Sequence, residues 1–288
     1  MNHIDLFSGI GGFGLSAQQV WGEEYFNVCF CEVDKFCQEI LKEHFGNDIV
    51  IFDDIKTLTG EKIYEEITSK FKQIDLLTAG VPCQPSSQAG KRRGTKDDRW
   101  LWSECVRIIQ KTMPKRFILE NVHGFISIEG GVEFESVLAK LEAIGYEVGT
   151  FDIPACALNG PHQRRRIWIV GSLTKNPISN GPTIRKDEKQ IGIWNQWDIS
   201  TRNAIGVYNE ESCKGKYNFS NPEYSQYWDR NWVKIATNLC GEDDGISARV
   251  DGLELSPEEY RSKKLTSLGN SIVVPIAVKI MKVIKMCN

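Results

Sequence analysis

The sequence lacks the features of a membrane-bound or secreted, disulfide-stabilised protein. No apolar run approaches the roughly 20 residues of a membrane-spanning helix. The first residues lack the basic, apolar and cleavage regions of a signal peptide. The 9 cysteines are odd in number and irregularly spaced, which argues against a disulfide framework and for a reducing compartment. We therefore expect a cytoplasmic protein without membrane association.

A metal site and an overall basic charge are also missing. Cys29, Cys31 and Cys37 cluster, but no second pair or histidine pattern completes a zinc site, so we expect buried thiols and no metal. The formal net charge is −3, with −8 on residues 1–90 and +5 on the remainder. Because phosphate attraction is screened within about 8–10 Å, the local sign matters more than the total. The later part of the chain can therefore bind a polyanion.

Apolar runs alternate with helical patterns through the first 172 residues. The runs predicted as strands are 3–7, 27–32, 49–52, 74–79, 116–120 and 167–172. The helices predicted between them are 14–21, 35–45, 61–71, 101–111 and 133–144. This alternation predicts an α/β fold with a doubly wound, mostly parallel sheet. Such sheets bind their ligands beyond the carboxyl ends of the strands.

The pattern changes after Ser172. Residues 173–248 are rich in Asn, Gly, Ser, Lys and aromatic residues without a sustained period, and their 4 tryptophans are too many for a disordered linker. We predict a first domain over 1–172 and a small irregular domain over 173–248. The C-terminal segment 249–288 returns to the first domain, where an apolar helix over 271–285 docks.

A glycine motif follows the first predicted strand. Gly9, Gly11 and Gly14 satisfy the pattern GxGxxG, and Glu32 lies 18 residues beyond the last of them, at the end of the second strand. Glycines admit a ligand close to the backbone, and a carboxylate binds two ribose hydroxyls. The motif favours an adenosine-containing cofactor over a plain tight turn. It does not distinguish a dinucleotide from other cofactors of this class.

Two further motifs follow predicted strands, and an arginine motif precedes another. Cys83 stands between two prolines that stiffen its loop, which suits a nucleophile but also a buried cysteine in a turn. The basic run 91–96 beside it suits a phosphate backbone or a solvated surface. Glu120 ends another strand, where it is either functional or a cap. Strand alternation places Arg164 and Arg166 on one face, toward the cleft or toward solvent.

The order and combination of these motifs resemble one family, the cytosine-C5 methyltransferases, over nearly the whole chain. The segments that carry the resemblance are 5–14, 32–34, 54–55, 82–84, 120–122, 164–167 and 268–275. The resemblance implies the S-adenosylmethionine-dependent methyltransferase fold, S-adenosyl-L-methionine as cofactor and double-stranded DNA as partner. It also implies that 173–248 is a target-recognition domain, and that the protein is a monomer, nucleoid-associated, in a restriction-modification system.

The resemblance implies a role for each motif residue. The residues expected to bind the cofactor are Asp5, Phe7, Gly9, Gly11, Gly12, Glu32, Val33, Asp54, Ile55, Pro82, Asn270 and Ser271. Those expected near the adenosyl part are Phe7, Glu32, Asp54 and Ile55, and those beside the methionine part are Gly9, Gly11, Asn270 and Ser271. The expected catalytic residues are Cys83, Glu120, Arg164 and Arg166.

In the implied mechanism, Cys83 adds to carbon 6 of a flipped-out cytosine and thereby makes carbon 5 nucleophilic. Glu120 donates a hydrogen bond to ring nitrogen 3, while Arg166 and Arg164 hold the carbonyl oxygen. Two alternatives stay within the family: a transfer-RNA cytosine methyltransferase and a catalytically idle DNA-binding relative. A dinucleotide oxidoreductase is a third, but it leaves the Cys83 and Glu120 motifs without a role.

Overall fold

The computed structural model describes residues 1–63, 73–82, 101–158, 164–174 and 256–286, and these contain a seven-stranded sheet. Its strands are β1 (Asn2–Leu6), β2 (Phe26–Cys31), β3 (Ile51–Phe52), β4 (Leu76–Gly80), β5 (Arg116–Val122), β6 (Tyr146–Pro154) and β7 (Arg165–Leu173). The strand order is β3-β2-β1-β4-β5-β7-β6. β7 runs antiparallel to both of its neighbours, and the remaining pairs are parallel.

Six helices accompany the sheet in the described part of the chain. They are α1 (Gly12–Trp21), α2 (Lys35–Phe45), α3 (Trp102–Thr112), α4 (Val132–Ile144), α5 (Pro257–Asn270) and α6 (Val274–Met286). The start of α2 is set by Asp34, whose carboxylate accepts hydrogen bonds from the amides of Phe36 and Cys37. The start of α5 is a capping box between Ser256 and Glu259.

The sheet has an apolar core on each face. Ile4 and Leu6 of β1 belong to one core, in which the ring of Trp102 stacks on Phe125 with 4.5 Å between their centroids. The second core joins α1 and α6 to the other face. Its side chains include Phe13, Ala17, Trp21, Leu76, Trp168, Ile276 and Ile280. Burying each large apolar side chain contributes about 1.5–3 kcal/mol, so α6 is held firmly against α1.

The α/β fold predicted from the sequence is confirmed. The predicted strands and helices recur with shifted ends; α1, for example, begins two residues before the predicted Gly14. The helix predicted over 61–71 is helical at 60–63, and the rest of it lies outside the described residues. β6 and α5 were not predicted. β6 is an edge strand with few buried residues, and α5 is rich in charged residues, so neither carries a clear apolar pattern.

The cysteines agree only partly with a reduced chain. Cys29, Cys31 and Cys37 are buried free thiols in β2 and α2, as expected. Cys156 is disulfide-bonded, which departs from that expectation. Among the described residues there is no cluster of three metal-ligating side chains. None of the helices in the described ranges is long and apolar enough to span a membrane.

Candidate active site

Several of the sequence-predicted site residues that the structure describes lie at the carboxyl edge of the parallel strands, among them Gly9, Glu32 and Glu120. The chain leaves β1 toward β2 on one side, whereas β4 and β5 lie on the other. This reversal opens a crevice at the edge between β1 and β4, the usual ligand position in open α/β sheets. Because β7 is antiparallel, it begins at the same edge and places Arg166 opposite Val122 of β5.

The loop after β1 is the candidate cofactor loop, residues 7–11. It is anchored by Ser8, whose hydroxyl donates to the Asp5 carbonyl oxygen at 2.7 Å and whose amide donates to Cys31 at 3.1 Å. Phe7 and Gly9 both have a φ of 53°, a left-handed conformation that glycine adopts readily. A Cβ added at Gly9 would meet nothing within 4 Å. The backbone at Gly9 therefore borders open space, and this space fits a ligand.

The other glycines of the motif have a packing role. A Cβ at Gly11 would lie 2.7 Å from the Phe45 ring, and one at Gly12 would lie 2.8 Å from Ile272. These glycines let α2 and the link between α5 and α6 approach the cofactor loop closely. For Gly11 and Gly12, the absence of a side chain is thus explained without a ligand, and their contact with the cofactor stays a prediction.

Glu32 is joined to the cofactor loop by its carboxylate. Oε2 accepts a hydrogen bond from the Gly9 amide at 2.7 Å, and Oε1 accepts one from the Asp34 amide at 2.8 Å. Burial raises the pKa of Glu32, while the two amide donors oppose that shift. A carboxylate has about four acceptor positions, so both oxygens retain capacity for ligand hydroxyls. The neighbouring Val33 side chain is 73% exposed and offers an apolar surface beside them.

The turn after β3 is held by its own hydrogen bonds. Asp54 accepts from the Lys56 amide at 2.9 Å. The Ile55 side chain is buried in the core, and its carbonyl oxygen accepts from Arg107 at 2.8 Å. The sequence analysis missed Gln38, whose amide group donates to the Glu32 carbonyl oxygen at 2.5 Å and to the Asp53 carboxylate at 2.9 Å. It ties two strand ends together but belongs to no recognisable motif.

Asp5 does not face the crevice. Its side chain is 0% exposed, and its Oδ1 accepts a hydrogen bond from the Thr78 hydroxyl at 2.6 Å. The Asp5 side chain is therefore enclosed by protein, and the expected contact of Asp5 with the cofactor stays a prediction. Burial raises the pKa of Asp5, and the Thr78 hydroxyl and the Gly14 amide oppose that shift. Asp5 supports the cofactor loop from beneath.

Glu120 and Arg166 form the centre of the candidate catalytic group. Arg166 Nε lies 3.0 Å from Glu120 Oε1, and Glu120 is nearly inaccessible to solvent. Burial raises the pKa of Glu120 to about 7, against the opposing effect of Arg166 and Arg164. A carboxyl group with a pKa near neutrality is populated in both protonation states, as proton donation and acceptance require.

The three consecutive arginines have different partners, and only Arg165 and Arg166 belong to β7, since Arg164 precedes it with a φ of 24°. Arg164 Nη2 donates to the Ser271 carbonyl oxygen, and its charge acts together with Arg166 on Glu120. Arg165 instead pairs with Asp152 at 2.7 Å. Arg164 and Arg166 thus serve the Glu120 side of β7, while Arg165 serves the neighbouring strand.

Asn121 is a supporting residue that the sequence analysis did not single out, although it lies within the Glu-Asn-Val motif. It is buried, and its Nδ2 donates to the Val81 carbonyl oxygen at 3.1 Å. The Val81 amide donates to the Glu120 carbonyl oxygen at 3.2 Å. Both polar groups of Val81 are held, and Pro82 follows directly. Cys83 itself lies outside the described residues, as do 173–248 except for the first two.

The link between α5 and α6 reaches the same crevice. Ser271 caps α5, with its hydroxyl donating to the Leu268 carbonyl oxygen at 2.9 Å. Ile272 contacts Gly12 of the cofactor loop. Asn270 is exposed. Residues 230 or more positions apart in the sequence therefore meet at one edge, as the predicted site requires.

Comparisons with known proteins show which family and which fold the chain shares. The family model for C-5 cytosine-specific DNA methylase matches residues 1–239. The Type II methyltransferase M1.ScrFI of Lactococcus lactis subsp. cremoris is 36% identical over 98% of this chain and 78% of its own length. The Type II methyltransferase M.NlaX of Neisseria lactamica is 34% identical over 95% and 92%. The crystal structure of the S. pombe Dnmt2 methyltransferase has the same fold, with a TM-score of 0.58 at 18% identity over 100% of this chain and 99% of that one.

Proposed function

The chain belongs to the C-5 cytosine-specific DNA methylase family, and we propose that it works through a covalent bond between Cys83 and the cytosine ring. Its reaction is the transfer of a methyl group from S-adenosyl-L-methionine to carbon 5 of cytosine in DNA. The observation that supports the proposed mechanism best is the buried Glu120–Arg166 pair beside the strand that leads to Cys83.

The proposed mechanism proceeds through a covalent adduct between Cys83 and the cytosine ring. The Cys83 thiolate forms a bond to carbon 6, and the electron pair of the 5,6 double bond makes carbon 5 nucleophilic. Protonated Glu120 donates a hydrogen bond to ring nitrogen 3, where negative charge develops, and Arg166 stabilises the carbonyl oxygen. Carbon 5 then takes up the methyl group, and the demethylated cofactor leaves as a neutral thioether. Solvent accepts the proton of carbon 5, the electron pair of that C–H bond restores the 5,6 double bond, and the bond to Cys83 breaks with its electron pair on sulfur. The products are 5-methylcytosine, S-adenosyl-L-homocysteine, a proton in solvent and the free thiolate.

The residues around the cofactor loop fit S-adenosyl-L-methionine. The cofactor supplies the methyl group as an electrophile. We propose that Glu32 holds its ribose hydroxyls and that Val33 covers its base, because both lie beside the open space at Gly9. We propose that Asp54 contacts the adenosyl part of the cofactor and that Asn270 and Ser271 contact its methionine part.

Replacing Glu32 with alanine should weaken S-adenosyl-L-methionine binding by about 1.5–3 kcal/mol, the range for a charged hydrogen-bonding group. Glu32→Gln keeps an acceptor for one loop amide and should lose less. Isothermal titration calorimetry measures both. The matched control is Asp75→Ala at the opposite edge of the sheet, since Asp75 also accepts a backbone amide, at 2.9 Å from Asn2. Equal affinity in folded Glu32→Ala and wild-type protein would remove Glu32 from the site.

We further propose that the substrate is double-stranded DNA, that the target cytosine flips out of the helix, and that residues 173–248 recognise its sequence. The target atoms are inaccessible inside a duplex, so flipping is needed for attack. Two of the relatives are Type II methyltransferases, which supports a restriction-modification role. Bisulfite sequencing of DNA from cells that express the protein tests these points together. Methylation of transfer RNA without methylation of DNA would contradict them.

Substitution of polar residues in 173–248 should change which cytosines are methylated and leave cofactor affinity near wild type. The reason is that contacts to base edges carry sequence information, whereas the proposed cofactor residues all lie outside this segment. Candidates are Arg202, Asn218, Lys234 and Asn238. Methylation mapping on a random-sequence library is paired with cofactor titration. Loss of cofactor binding in several folded variants would place the segment in the catalytic domain.

A further inference from the structure

A chain of buried polar groups lies under the cofactor loop, on the sheet face that α1 and α6 cover. His3 and Asp5 are on β1, and Thr78 is the residue opposite Asp5 on β4. All three side chains are fully buried, among apolar neighbours. The His3 ring contacts the Thr78 hydroxyl through Nε2 at 2.7 Å and the Tyr25 hydroxyl through Nδ1 at 3.1 Å. Buried polar groups are costly unless they are paired, so this arrangement calls for an explanation.

The direction of the hydrogen bonds follows from the chemistry of each group. The Thr78 hydroxyl donates its single proton to Asp5 Oδ1 at 2.6 Å. Thr78 must then accept from His3, which places the imidazole proton on Nε2. The Nδ1 atom is left as an acceptor for the Tyr25 hydroxyl. Burial lowers the pKa of His3 to about 3, so the ring stays neutral and carries only this one proton.

The series of hydrogen bonds from His3 through Thr78 ends at Asp5, which lies on β1 just before the cofactor loop and supports it. The Asp5 carbonyl oxygen accepts from Ser8, and the Gly14 amide in α1 interacts with its carboxylate. Between Asp5 and Ser8 lies Phe7, whose φ of 53° is unfavourable for a residue other than glycine by about 1–2 kcal/mol. A loop with this conformation needs fixed flanks. Thr78 fixes the Asp5 side chain on one flank, and His3 fixes Thr78.

We propose that His3 and Thr78 are positioning residues for S-adenosyl-L-methionine, which hold Asp5, and through it the cofactor loop, in the binding conformation. The inference rests on the proposed cofactor site at Gly9 and Glu32. Neither residue touches the crevice, because both side chains are fully buried. Their effect therefore falls on cofactor affinity and not on the methyl-transfer step at saturating cofactor.

The first test compares Thr78→Val, Thr78→Ser and Thr112→Val. Valine has the shape of threonine without its hydroxyl, and serine keeps the hydroxyl. Thr112 is the matched control, since it is also buried and donates to the Ile108 carbonyl oxygen at 2.8 Å, but in α3. We expect Thr78→Val to raise the dissociation constant of S-adenosyl-L-methionine about tenfold or more, because a buried group is left unpaired. Serine should restore it, and kcat should stay within about twofold.

Equal cofactor affinity in Thr78→Val and Thr112→Val, with both folded, would overturn the inference. A parallel measurement on Glu32→Ala separates the two proposals. If Glu32→Ala loses affinity while Thr78→Val does not, only the positioning role fails. If neither loses affinity, the cofactor site itself is misplaced.

The second test reads the wild-type protein directly and needs a variant only to assign the signals. The nitrogen-15 chemical shifts of a histidine distinguish the proton on Nε2 from the proton on Nδ1. We expect His3 to carry its proton on Nε2 from pH 6 to pH 8, with the pattern assigned by its absence in His3→Gln. A proton on Nδ1 would reverse the direction of each hydrogen bond among these buried side chains and make Asp5 the donor to Thr78. That result would overturn the proposal.

Discussion

Replacing Cys83 with alanine should abolish methyl transfer to DNA, by about 10⁴-fold or more, the scale at which a covalent nucleophile contributes. Carbon 5 of cytosine is too weak a nucleophile to accept a methyl group until a thiolate has added at carbon 6. No other residue in the proposed site supplies a thiol, so the loss should be near complete. The fold and the cofactor affinity should be retained, because all the expected cofactor residues except Pro82 belong to other segments of the chain.

The structure adds a physical reason for the precise placement of this nucleophile. The peptide before Pro82 is held by the Asn121 side chain and by the Glu120 carbonyl oxygen. Both holding residues are on β5, the strand that also carries the catalytic carboxyl group. The chain thus enters the Cys83 loop from a position fixed relative to Glu120, which favours attack geometry over random approach.

DNA that carries 5-fluorocytosine at the target provides the direct measurement. Fluorine does not leave carbon 5 as a proton does, so the bond to Cys83 should persist as an adduct that survives denaturing electrophoresis. The matched control is Cys29→Ala, a buried thiol in β2, which should still form the adduct. An adduct in Cys83→Ala would transfer the chemistry to another residue, and the absence of any adduct in wild-type protein would contradict covalent catalysis.

Replacing Glu120 with glutamine should lower kcat by about 10²–10³-fold, within the range for a positioned general acid. Glutamine has nearly the same shape but cannot gain or lose a proton at neutral pH. In the wild-type protein, the pKa of Glu120 is about 7, so the protonated fraction falls as the pH rises through that value. The activity of the wild type should therefore decline above pH 7, and the activity of Glu120→Gln should not follow this profile.

The same shift has a consequence for stability. The pKa of Glu120 is higher in the folded protein than its ordinary value of 4.5, so the unfolded chain loses this proton first as the pH rises. The contribution of Glu120 to the free energy of unfolding is fully present below about pH 4.5 and is lost as the pH rises to about 7. Between about pH 4.5 and pH 7, the melting temperature of the wild type should therefore fall relative to that of Glu120→Gln. Above about pH 7, the two melting temperatures should change with pH in parallel.

Asp152→Asn is the control for both measurements, since Asp152 pairs with Arg165, the neighbour of Arg166, at 2.7 Å. It should change the melting temperature slightly and leave the pH profile of activity unchanged. A wild-type activity that is flat between pH 6 and pH 8 would show that Glu120 does not titrate in the reaction. The proton donor to the cytosine ring would then have to be sought elsewhere.

The sequence by itself determined the fold class and the family, and it predicted a chemical role for each motif. Strand and helix periodicity is a local property, because alternation in burial leaves a period of two or 3.6 in the chain. The Cys83, Glu120 and Arg166 motifs stand at strand ends, and parallel strands bring their carboxyl ends to one edge. The proximity of Glu120 and Arg166 at 3.0 Å follows from that rule and from the antiparallel direction of β7, which the pattern did not show.

Only the tertiary structure decided which motif residues border open space and which are buried beneath the loop. In the sequence, Asp5 and Gly9 belong to one motif, yet Asp5 is fully buried on Thr78 while Gly9 borders open space. Likewise, nothing in the sequence links His3 to Thr78, because their contact joins positions 75 residues apart. Burial and long-range pairing depend on how the strands are ordered across the sheet, and the desolvation that raises the pKa of Glu120 arises only when the sheet and helices close around it.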